Sequence, residues 1–197
     1  MTGEDAEHDR LNETIRGLVR DIESHNPSRI GHAERVSSST VATGFEMGVR
    51  DHELLALRYA SVMHDVWKLP VKREILEKAG PLDGAERLDT VALPLACAGA
   101  LKRNRGWQWA DLMGRQYVWF DGSSKHGLKG ENIPLGSRIL FVATAFDVMT
   151  WDQPWRKART EEEALEELKR CAGAQFDPAV VEAFLKVQPL LQPIRDV

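Results

Sequence analysis

The sequence predicts an all-α domain, and three observations carry that prediction. Apolar residues recur every three or four positions in segment after segment, capping residues and glycines punctuate those segments, and nowhere does a β-branched run alternate apolar with polar. The count is about eight or nine helices in a single domain spanning 1–197. With 43% hydrophobic and 28% charged residues in 197, there is enough apolar side chain for one sizeable core.

Leu11, Ile15, Leu18 and Ile22 form one stripe between about Asp9 and His25, and Asn26-Pro27 ends it. Ser28 is the predicted cap of the next helix, which runs from Arg29 to about Met47 and stops at Gly48. His32, Val36, Thr43 and Met47 share a side with Ser39 and Thr40, a polar lining for an inward face. Asp51 is the predicted cap of a helix in which Leu54, Leu57, Ser61 and His64 share a stripe, so His64 points inward. A short helical turn follows from Lys72 to Lys78, closed by Gly80-Pro81. Asp83-Gly84-Ala85-Glu86 reads as a capping box that opens a long helix with Leu88, Val91, Leu95 and Ala98 on its apolar face. Gly106 separates it from a helix around Trp107 to Trp119. A long irregular segment runs from Asp121 to Pro134, and such loops in compact domains are often functional. Gly136 to Thr150 is apolar almost all round, hence central. Thr160 to Glu163 is a second capping box, for a helix ending at Gly173, and Asp177-Pro178 opens a last helix carrying Val180, Val181, Phe184 and Val187.

Composition excludes several functions. The apolar stretch Ile139 to Met149 contains Thr144 and Asp147 and is too short for a bilayer. The acidic amino terminus lacks the basic and apolar regions of a signal peptide, so a cytoplasmic address is expected. Cys97 and Cys171 stand apart with no Cys-x-x-Cys and are read as buried thiols. A formal charge of −4 argues against a nucleic-acid footprint, and Lys102-Arg103-Asn104-Arg105 is read as a solvated helix end.

The stretch with chemistry in it is Ala60 to Lys68, where His64 and Asp65 stand side by side. An imidazole and a carboxylate can converge on one ion, and Lys68, one turn later, can hold a phosphate or neutralise Asp65. Such a dipeptide is more often a hydrogen-bonded structural pair than a ligand set.

The order of landmarks resembles the HD-GYP family of all-α cyclic di-GMP phosphodiesterases, in the HD superfamily, from about Leu18 to Val187. Gly31-His32-Ala33-Glu34-Arg35-Val36 is similar to its first motif, and Met63-His64-Asp65-Val66-Trp67-Lys68 to its Leu-His-Asp-Ile-Gly-Lys motif. Ile75 to Leu82, Trp119 to Ser123, Gly127 to Leu135 and Arg138 to Thr150 match later segments. The resemblance implies a helical shell around two or three iron-like or manganese-like ions. It also implies which ligands remain: His32, His64 and Asp65 match, while the other ligand positions fall on Leu93, Gln116, Tyr117 and Thr144. Three protein ligands do not make a two-metal centre, which needs ions about 3.5–4 Å apart. Leu93 is expected to be buried there, making the cavity hostile to an ion. Ser124-Lys125-His126 stands where Gly-Tyr-Pro is usual, and Trp67 replaces a glycine, either occluding the pocket or packing outward.

The expectation is therefore a degenerate HD-GYP domain, inactive in catalysis, that works as a regulatory or protein-interaction module, with Lys68 and Asp121 as relics. Asp65 should then accept from Lys68, His32 or His64, because a buried unpaired carboxylate is costly. The alternatives are a one-metal phosphohydrolase, holding at most one weakly bound divalent ion on His32, His64 and Asp65, and a non-hydrolysing cyclic di-GMP receptor. Lys68, Arg138 and Lys125 or Lys129 would bind the receptor's phosphates. Because the domain fills the chain, input is expected through a protein partner, with a homodimer as one form of it. Trp107, Trp109, Trp151 and Trp155 serve either a binding surface or the core.

Overall fold

The computed structural model describes residues 3–84, 86, 92–124 and 127–191, with side chains from residue 9 onward. Among the described residues there are nine α-helices and no strand: α1 (Gly3–His25), α2 (His32–Glu46), α3 (Asp51–Met63), α4 (Arg73–Leu76), α5 (Ala92–Arg105), α6 (Ala110–Gly114), α7 (Leu135–Thr150), α8 (Glu161–Arg170) and α9 (Pro178–Val187). Short 3-10 turns stand at Pro27–Arg29, Val66–Lys68, Gly130–Asn132 and Gln188–Leu190. None of the described helices is long and apolar enough to cross a membrane.

Helix α7 is the axis of the bundle because nearly every side of it is apolar: Ile139, Leu140, Phe141, Val142, Ala143 and Phe146 are all buried. Helices α2, α6, α8 and α9 pack against it, and α3 lies along α2. The α2–α3 approach depends on Gly44, where an added Cβ would lie 2.6 Å from Leu57 Cδ2. The face of α2 that enters the core is polar, with His32, Ser39, Thr40 and Thr43 buried around Val36.

Local departures from the sequence reading have physical causes. Ser28 does not cap α2; its hydroxyl donates to Asn26 Oδ1 at 2.7 Å, and Gly31, at φ 71°, is the N-cap. Asp51 does not cap α3 either, since Arg50 holds that position without a side-chain bond. The capping contacts of Asp83 and Glu86 do form, each side chain accepting from the other's amide at 3.0 Å. The described helix begins only at Ala92, and Leu88 and Val91 lie outside the described residues. In α5, Ala98 is buried as predicted, but Leu95 is exposed and Pro94 is buried instead. Helix α6 is confined to Ala110–Gly114, and the chain from 115 to 118 continues as turns.

The boxes at the carboxyl-terminal end form as predicted. Thr160 Oγ1 accepts from Glu163 N at 3.1 Å and Glu163 Oε2 from Thr160 N at 2.9 Å. Asp177 Oδ1 accepts from Ala179 N at 2.9 Å, with Pro178 at the first helical position.

Candidate metal centre

Two helix ends build the site. His32 is the first residue of α2, aimed inward by the left-handed turn at Gly31, whose amide donates to Glu23 Oε1 at 2.8 Å. His64 caps the end of α3, and Asp65 leads into the Val66–Lys68 turn, which brings Lys68 back over the carboxylate. The side chains of His32, His64 and Asp65 all lie within 4.8 Å of one another and are fully enclosed.

Each imidazole is oriented from behind. His32 Nδ1 donates to Asp147 Oδ2 at 2.5 Å, and Arg35 holds that carboxylate in a fork through Nε at 2.5 Å and Nη2 at 3.2 Å. His64 Nδ1 donates to the Ser61 carbonyl at 2.6 Å. With both Nδ1 protons committed, the two Nε2 lone pairs face each other at 3.0 Å. Asp65 lies 3.7 Å from His32 Nε2 through Oδ2 and 3.5 Å from His64 Nε2 through Oδ1.

Burial keeps the imidazoles neutral, lowering the pKa of His32 and bringing that of His64 to about 4 although Asp65 opposes this. Burial alone would raise Asp65, but the Lys68 ammonium and the Arg29 guanidinium outweigh it and hold the carboxylate ionised. Lys68 Nζ donates to Asp65 Oδ2 at 2.7 Å, and desolvation brings its pKa down to about 8.

These residues fit one divalent cation. Two facing lone pairs cannot bond to each other, and Asp65 Oδ1 is buried with no hydrogen-bond partner, so the donors are arranged for a positive charge between them. Such an ion would lie on His32, His64 and Asp65 and would supply Lewis acidity toward a phosphoryl oxygen. At the other positions where the resemblance expects ligands, no imidazole or carboxylate is present. Gln116 is buried, its amide nitrogen donating to the His64 carbonyl at 2.8 Å while its Oε1 has no hydrogen-bond partner; the Tyr117 ring stands edge-on to Phe141 with centroids 5.7 Å apart. Thr144 offers only a hydroxyl. Leu93 corrects the sequence reading: it is 36% exposed and does not wall a buried cavity.

Other predicted residues fall elsewhere. Arg138 is not at the centre: its guanidinium pairs with Asp177, and its Nε donates to the Ile133 carbonyl at 2.9 Å. Asp121 accepts from Ser123 N at 2.8 Å, a local turn bond in the loop. That loop is tied to the α8–α9 connection, through Phe120 N to Gln175 O at 3.2 Å and Asp121 N to Ala174 O at 2.9 Å. Lys125 and His126 lie outside the described residues. Trp67 packs inward with Val71 and Leu76 and beside Tyr117. Sequence reasoning missed Asp147, Arg35 and Arg29 as members of the site. A lone aspartate inside an apolar helix was the available signal for Asp147, and nothing in the linear sequence marked Arg29.

Fold and centre together define a helical shell around a buried His-Asp ion cage. A family model described as HD domain matches residues 18–180, and the chain belongs to that family. It is 31% identical over 193 residues to a cyclic di-GMP phosphodiesterase response regulator, RpfG, of Xanthomonas campestris, covering 94% of this chain and 50% of that protein. It is 30% identical over 186 residues to a cyclic di-GMP phosphodiesterase of Thermotoga maritima, covering 86% of this chain and 46% of that one. The chain therefore spans about half the length of these relatives. A solved cyclic GMP-AMP specific phosphodiesterase of Vibrio cholerae shares the fold, with a TM-score of 0.69 at 19% identity over 91% of this chain and 49% of that one.

Proposed function

We propose that the domain no longer hydrolyses cyclic di-GMP and acts as a regulatory, protein-contact module in signalling by that messenger. The observation that carries this reading is that a glutamine amide and a phenol ring stand where further imidazole ligands are expected: Gln116 donates to the His64 carbonyl and Tyr117 packs on Phe141. Without those ligands two ions cannot flank a phosphodiester. The aromatic segment after α7 supports the contact role. Trp151 and Trp155 are 39% and 49% exposed, and Trp155 borders a groove of about 440 Å³ with Ile75, Lys78, Pro81 and Leu82. The test is turnover of cyclic di-GMP and its linear dinucleotide by protein loaded with manganese or iron. No product above the metal-only blank is expected, and sustained turnover would overturn the reading. The facing Nε2 atoms favour one second reading, a one-metal phosphohydrolase. Release of phosphate from nucleoside phosphates in the same assay would select it.

A further inference from the structure

Arg29 ends the 3-10 turn before α2, and although only 9% exposed it has no carboxylate within ion-pair distance among the described residues. The two nearby carboxylates are engaged, Asp147 by Arg35 and Asp65 by Lys68. Its one side-chain hydrogen bond runs from Nη1 to His32 Nε2 at 3.4 Å. That nitrogen carries the lone pair directed into the cage, because the Nδ1 proton is donated to Asp147. A buried guanidinium with no counter-ion is costly, so its place at this atom calls for a reason.

We propose that Arg29 is the resident cation of the centre, holding the cage in a metal-poor state by occupying the His32 lone pair that a divalent ion would need. Hydrogen bonding and coordination use the same electron pair and exclude each other. The positive charge also repels an incoming ion at short range, in surroundings that screen it poorly. The inference deepens the reading of a non-hydrolysing domain and can fail separately from it.

The test is calorimetric titration of Mn²⁺ into EDTA-stripped wild-type protein, Arg29→Gln and Arg29→Lys, with far-UV circular dichroism on each. Arg29→Gln is expected to bind one Mn²⁺ at least tenfold more tightly than wild type, and adding His64→Gln to it should abolish that binding. Arg29→Lys, which keeps the charge, should stay closer to wild type. Equal or weaker binding by folded Arg29→Gln would overturn the inference. So would a wild-type chain that takes up one Mn²⁺ with submicromolar Kd, a result that needs no variant to fold. Turnover of cyclic di-GMP by wild type would overturn the proposed function and leave the Arg29 comparison to be judged on its own isotherms.

Discussion

Asp147 is the residue that makes His32 a directed donor rather than a buried ring. It reaches His32 and Arg35 across more than a hundred positions of chain, so one carboxylate fixes a tautomer and ties α7 to α2. Removing it leaves Arg35 without its buried partner. Asp147→Ala should cost about 3–5 kcal/mol in urea unfolding, and the double variant with Arg35→Ala should cost clearly less than the sum of the two singles. Additive losses would contradict the fork. At this scale the sequence was partly legible. His64 and Asp65 announce themselves because the pair is contiguous and its histidine lies on an apolar stripe, whereas His32 enters only through the resemblance of Gly31 to Val36 to a family motif. Arg29 does not, because a 3-10 turn carries no periodicity that says which way its side chain points.

Among the elements, the clearest case is the junction of α7 and α9. Arg138, a candidate phosphate contact by sequence, pairs with Asp177, which is itself buried and caps α9. Arg138→Ala should therefore destabilise by about 3–5 kcal/mol, by stranding that carboxylate. A phosphate-binding role would predict an unchanged denaturation midpoint and altered ligand binding. Thr160→Ala, which breaks the capping box of α8 at an exposed end, should cost about 1 kcal/mol. Helices α8 and α9 were legible nearly to their ends because apolar periodicity and caps agree there, and α7 because its run is apolar almost all round. The face of α5 was not, since Leu93, Pro94 and Leu95 in succession fit either of two rotations and only tertiary packing selects the one that buries Pro94.

For the molecule as a whole, the tryptophans divide between packing and surface. Trp107 stacks on Trp109 with centroids 5.1 Å apart, and Trp109 lies against Tyr59, so this pair belongs to the core's edge. Trp109→Ala should cost about 3 kcal/mol, whereas Trp155→Ala should stay within about 0.5 kcal/mol of wild type. Comparable losses in urea unfolding would mean that the exposed indole is structural. The fold is that of an HD domain, His32, His64 and Asp65 stand together in it, and the Arg29 guanidinium lies 3.4 Å from His32 Nε2. The most direct measurement is the number of manganese or iron ions per chain, by elemental analysis after reconstitution with excess metal and desalting. The account predicts no more than one. Two ions per chain, lost together on His64→Gln, would contradict it.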